Sequence, residues 1–305
     1  MCQLLGFCSE KPVGFSAVFR EFRKRAESNP HAWGIALWNG NDECGPAVIR
    51  EPRPANKSRL AGLLCNNVLP GKVLIAHVRY GTTRGEDSLR TVTNTHPFVA
   101  NIGGRDWAFA HNGYVSVVGP VTAGYSPHGT TDSERVFTIL VDSLRGVTSR
   151  DGKIQAIKKA IEKCSGRGKL NFLLSDGKTL FFFSNMGCGL HYRELSLCRK
   201  NGQVVMVATE PVGAGSCWKR CEAGVLYVAE DGRIVREDVT TVQLYIPKPK
   251  VKVKEPLPAL PRPAGSFEED LSDWDLWNLY HATSQQKPAR HRSYIDYWEN
   301  EVRKQ

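Results

Sequence analysis

Hydrophobic residues recur along this chain with two different periods, and the period changes with position. Phe15, Val18, Phe19 and Phe22 fall three and four apart, which predicts an amphipathic helix close to the start. The run from Ala32 to Trp38 is almost wholly apolar and stops at Asn39-Gly40, the pattern of a strand entering a hairpin. Residues 72–79 and 106–110 read as further strands. From 131 to 145 the spacing turns helical, with Val136, Phe137, Leu140 and Leu144 on one side and Thr131 with Glu134 as a capping box. A second helix is expected around Ile154, Ile157 and Ile161. The remainder alternates as strands: 170–174 and 179–184 flank Asp176-Gly177, and 204–208 and 225–229 follow.

Strands, then helices, then strands, without a regular strand–helix alternation, predict packed antiparallel sheets with helices in layers, an α+β arrangement. The pattern ends after Tyr245. Residues 246–265 hold six prolines and no folding period, so they read as an extended linker. Residues 266–305 form an amphipathic tail rich in aromatics, with Leu271, Trp274, Leu276, Trp277 and Tyr280. Short helices docking on the body or on another protein fit this composition equally well. The expected organisation is a body over 2–245, a linker over 246–265 and a tail over 266–305.

Composition narrows the classes. The charge of +10 comes from 41 basic and 31 acidic residues spread along the chain, with no basic run interleaved with aromatics, so nucleic acid is not indicated as a partner. No apolar run approaches the ~20 residues of a membrane helix, and the start has neither the basic nor the apolar region of a signal peptide. Nine scattered cysteines fit reduced cytoplasmic thiols. Neither Cys2 with Cys8 nor Cys217 with Cys221 has zinc-site spacing or nearby histidines, so no metal and no cofactor is expected.

Chemistry is suggested first by Cys2. Removal of Met1 would leave a thiol and a free α-amine on one residue, and that amine titrates near ~7.7–8.0, so it can serve the thiol as a base. Read alone, Cys2 is equally a cysteine at a strand start. Arg79 closes the stretch HVRYGTT, where a guanidinium can grip a carboxylate or form an ordinary ion pair. His96 lies in NTHPF. Asn112-Gly113 is a turn, or a side-chain amide and a backbone N–H aimed at one oxyanion. Asp132 opens a helix, where it complements the dipole or holds an ammonium.

Taken in order, Cys2, HVRYGTT, NTHPF, FAHNG and TDSE resemble the class II glutamine amidotransferases. Trp33-Gly34-Ile35-Ala36, LNFLLSDG and VATEPV are similar to the stand-alone members, and the likeness covers roughly residues 2–235. The resemblance implies a four-layer αββα sandwich of the N-terminal-nucleophile hydrolase type. It implies that Cys2 is the nucleophile and its α-amine the base, and that Asn112 and the Gly113 N–H form the oxyanion hole. Arg79 and Asp132 would bind the α-carboxylate and α-ammonium of glutamine, with Thr82 and His96 lining the pocket. Departures are His31-Ala32, where stand-alone members carry Asp-Gly, and the charged stretch 84–93. The expected activity is hydrolysis of the glutamine side-chain amide, with ammonia passing to a separate acceptor enzyme. The alternatives are a self-contained γ-glutamyl amide hydrolase and a non-catalytic binding module.

Overall fold

A computed structural model describes residues 2–41, 45–67, 70–81, 90–116, 125–197, 202–213 and 217–247. The linker and tail beyond residue 247, Thr82, most of 84–93 and Met1 lie outside the described residues.

Two antiparallel sheets make the centre. In spatial order, the first holds β13 (Lys219–Arg220), β11 (His191–Ser196), β12 (Gln203–Ala208), β1 (Gln3–Gly14), β4 (Pro70–Arg79), β2 (Ala32–Trp38) and β3 (Ala47–Glu51). The second holds β15 (Arg233–Val239), β14 (Val225–Glu230), β10 (Thr179–Ser184), β9 (Asn171–Ser175), β6 (Arg105–His111) and β5 (Phe98–Ile102). A short pair, β7 (Tyr114–Val115) with β8 (Gly168–Lys169), stands apart. Helices α1 (Ser16–Arg23) and α2 (Arg59–Asn66) pack on the first sheet, and α3 (Asp132–Leu144) and α4 (Arg150–Lys163) on the second.

Three apolar layers separate these four. Strand β1 shows how its residues sort: Leu5 and Phe7 face α1 with Phe15, Phe19 and Phe22, while Leu4 and Cys8 face Leu173, Leu180 and Phe182 of the other sheet. Because β1 is covered on both faces over residues 4–8, that stretch is a continuous apolar run without alternation. Burying one such phenylalanine or leucine contributes ~1.5–3 kcal/mol, which fixes the register of the strand. The architecture is therefore a four-layer αββα sandwich.

The predicted helices and strands are present, with adjustments. Asn39-Gly40 does begin the connection between paired strands β2 and β3, but that connection extends to residue 46 rather than forming a two-residue turn. Thr131 caps α3, its Oγ1 accepting from the Glu134 N–H at 3.2 Å. The reciprocal half of the capping box is absent. Glu134 instead accepts from the Tyr125 hydroxyl and the His128 N–H at 2.8 Å each and from the Gly129 N–H at 2.7 Å. A buried carboxylate gains more from three donors in the preceding loop than from one at its own helix end. Helix α2 and strands β3, β5, β11 and β15 had no prediction; β3, β5 and β15 are edge strands, half-solvated and weakly patterned, and β11 is also partly exposed.

Candidate active site

Antiparallel pairing puts the beginning of β1 beside the ends of both neighbours. Gln3 pairs with Val78 of β4, and the Thr209 N–H beyond β12 donates to the Leu4 carbonyl at 3.1 Å. Cys2 therefore lies next to Arg79 and Tyr80. Its sulfur accepts from the Tyr80 N–H at 3.3 Å and approaches the Tyr80 carbonyl at 3.4 Å. Burial pushes the Cys2 thiol up, while the Tyr80 amide and the Arg79 guanidinium pull it back toward the thiolate. A thiol in that balance is neutral at rest and needs a base at the moment of attack.

The second sheet brings its polar end to the same place. His111 ends β6, and Asn112 follows with 1% of its surface exposed. The Asn112 N–H donates to the Asn171 carbonyl at 2.8 Å, and Asn171 Nδ2 donates back to the Asn112 carbonyl at 2.9 Å. Gly113 is not in the left-handed region. What demands glycine is proximity: a Cβ there would stand 1.9 Å from the Lys169 carbonyl oxygen. The plain-turn reading of Asn-Gly thus gives way to a close backbone approach.

Asp132, at the first position of α3, accepts from the Val115 N–H at 2.8 Å, which ties the helix start to the stretch after Gly113. Its charge acts on both Cys2 and Arg79, and the Arg79 guanidinium is lowered by burial and supported by these two groups. Arg79, 3% exposed, is thus a buried cation facing a carboxylate and the thiol.

His96 is brought close but not into the open. It is 3% exposed, with its ring 4.2 Å from His77 and 4.4 Å from Phe98, and neither ring nitrogen has a hydrogen-bond partner. Its carbonyl explains Gly34, where a Cβ would meet it at 2.3 Å. Burial lowers His77 to about 3 and holds His96 well below the usual imidazole range, with Arg79 adding to both. His111 is also lowered by burial; its ring nitrogens contact the Ser133 hydroxyl at 2.9 Å and the Lys169 carbonyl at 3.1 Å. These histidines form a neutral layer under Arg79.

Two neighbours went unremarked in the sequence. Lys169 is 6% exposed and feels the charge of Cys2, and burial lowers its ammonium. A lysine beside the apolar run 170–174 was the available signal. Thr209 bridges the two sheets, and its only sequence trace was the segment VATEPV. No group of three metal-ligating side chains occurs among the described residues.

Likeness to solved structures establishes the class of fold first. A predicted glutamine amidotransferase from Pseudomonas aeruginosa matches 77% of this chain and 100% of its own, with 23% identity and a TM-score of 0.56. The glutamine phosphoribosylpyrophosphate amidotransferase of B. subtilis matches 80% of this chain and 50% of its own, with 14% identity and a TM-score of 0.58. Both likenesses extend over most of the chain and show a shared fold. In sequence, a Haemophilus influenzae protein named "Putative glutamine amidotransferase" is 28% identical over 268 residues, covering 79% of this chain and 88% of that protein. The family of class II glutamine amidotransferases matches residues 1–196, and the chain belongs to it. Membership supports an enzyme of the amidohydrolase kind.

Proposed function

We propose that this chain is a glutaminase of the amidotransferase type, working through a thioester on Cys2 once Met1 has been removed. The observation that carries this reading is the meeting of Cys2, Arg79, Asp132 and Asn112-Gly113 at one end of the two sheets, from four separate stretches of sequence.

The glutamine head is a zwitterion, so Arg79 takes its carboxylate and Asp132 its ammonium. This leaves the side-chain amide over Cys2. The Cys2 sulfur attacks the amide carbon while its proton passes to the residue's own α-amine. The negative charge on the amide oxygen is met by Asn112 Nδ2 and the Gly113 N–H. Collapse breaks the C–N bond, the α-ammonium returns its proton to the leaving nitrogen, and ammonia departs. Water then attacks the thioester, the amine takes one of its protons, and glutamate leaves with the thiol restored. His96 belongs to the buried layer that supports the pocket.

In this reading residues 2–245 are the glutaminase domain, 246–265 a linker and 266–305 a tail. Ammonia passes to a separate acceptor enzyme. No described helix is long and apolar enough to cross a membrane.

The test is purified chain offered glutamine and γ-glutamyl peptides side by side, with intact mass read before and after a diazoketone analogue of glutamine. Loss of Met1, labelling at Cys2 and preference for glutamine support the proposal. Preference for the peptides moves it to a self-contained γ-glutamyl hydrolase. An unlabelled Cys2 with no turnover moves it to a binding module.

A further inference from the structure

The nucleophile and the oxyanion donor belong to different sheets. Cys2 heads β1 in the first, whereas Asn112 follows β6 in the second. Between these two points the sheets touch through apolar side chains, which are non-directional and set no amide orientation. Among the described residues, Thr209 makes a polar crossing. It follows β12 in the first sheet, is 8% exposed, and its Oγ1 accepts from the Leu4 N–H at 3.0 Å and from Asn112 Nδ2 at 3.3 Å. Its own N–H donates to the Leu4 carbonyl at 3.1 Å, and its carbonyl meets His191 Nδ1 at 3.1 Å. The threonine is thus clamped to the strand that carries the nucleophile before it reaches across.

From this geometry we infer that Thr209 is a positioning residue. Its hydroxyl holds the Asn112 amide in the orientation that presents an N–H to the developing oxyanion, in register with Cys2. The inference rests on the glutaminase reading above and extends it. An asparagine amide has two N–H groups. One is committed to Thr209, and that commitment aims the other. In the arrangement observed, Oγ1 accepts from both the Leu4 N–H and Asn112 Nδ2, so the nitrogen end of the amide faces the hydroxyl. The Asn112 backbone is locked separately by Asn171, so the hydroxyl governs the side chain alone. Thr209 touches no reacting atom.

Thr209→Val keeps the shape and removes the hydroxyl, and Thr209→Ser restores it. In the valine variant kcat for glutamine should fall roughly 10²-fold, the scale of a displaced catalytic donor, with KM nearly unchanged because Arg79 and Asp132 still hold the head. Inactivation by the diazoketone, whose carbonyl needs the oxyanion hole, should slow in step with kcat. Alkylation of Cys2 by iodoacetamide, read by mass, should not change. Serine should return kcat to near the wild-type value. Retention of kcat in the folded valine variant overturns the inference. So does equal slowing of iodoacetamide alkylation, which would mean that β1 itself has moved. Failure of serine to rescue a folded protein also overturns it. A wild-type chain that neither turns over glutamine nor reacts with the diazoketone sinks the glutaminase reading itself, and the positioning role with it.

Discussion

Cys2 and Cys8 sit on one stretch of chain, and burial raises both thiols, yet their surroundings differ in kind. Cys8 lies between the sheets among Leu4, Leu173, Leu180 and Phe182, where burial pushes it up to about 11. Its sulfur makes a long contact of 3.7 Å to the Ala229 carbonyl, and the Gly232 backbone offsets part of the rise. Cys2 lies where the same strands run out of apolar residues, with the Tyr80 N–H on its sulfur and Arg79 beside it. Burial alone makes a thiol inert. What distinguishes a nucleophile is a set of fixed donors and charges delivered by several strand ends at once.

The sharpest way to break this comparison is substitution of each thiol in turn. Cys2→Ser should cut glutamine turnover by at least ~10³-fold, since serine is a far weaker nucleophile at the same base. Glutamate release near the wild-type rate would leave Cys2 no special standing. Next in size is Asn112→Ala, where loss of one oxyanion donor should lower kcat by about 10²–10³-fold with the protein still folded. Steady-state kinetics with unchanged kcat would place the oxyanion elsewhere. Arg79→Ala and Asp132→Ala should each raise KM for glutamine by roughly 10²-fold, because one charge of a desolvated zwitterion loses its partner. Unaltered KM in both would remove the substrate-head assignment.

The Cys2 end should also respond to acid as the Cys8 region does not. Burial holds His77, His96 and His111 below their ordinary value of 6.5, so below that pH the unfolded chain binds protons that the folded chain refuses. Their neutral burial therefore costs no stability above the unfolded value, and stability declines as pH falls from there toward about 3 for His77. Each histidine adds a loss of about 1.4 kcal/mol per pH unit within its window. Urea unfolding at neutral and mildly acid pH should show a flatter dependence for His96→Gln than for the wild type. Parallel profiles would contradict the neutral layer. The smallest effect is expected from Cys8→Ala. It should cost about 1 kcal/mol of stability through a small void, with activity per folded molecule unchanged.

Much of the fold is legible in the chain, and the reason is local. The helix of Phe15, Phe19 and Phe22 and the helix of Val136, Phe137, Leu140 and Leu144 announce themselves because one face is dry and the other wet. Strand β1 does not, since both faces are covered and no alternation survives. Cys2, Arg79, Asn112, Gly113 and Asp132 stand out in the sequence as an ordered set of short motifs, each ambiguous by itself. The NTHPF motif marks His96 as well, but not its packing against His77. The part of Glu134 as the anchor of the loop 125–129 was hidden behind a capping signal that its position also satisfied.

The sequence by itself determined the element types, the antiparallel layering and the list of chemically able residues. Periodicity, turn residues and motif order are properties of neighbours along the chain. Only the tertiary structure decided which strand ends meet, why Gly113 must be glycine against the Lys169 carbonyl, and that Thr209 links Leu4 to Asn112 across the sheets. Those facts depend on pairings between residues far apart in sequence, and no local pattern encodes a partner's distance. Cys2, one thiol among nine, is set apart from Cys8 on the same ground: by what folding brings to it.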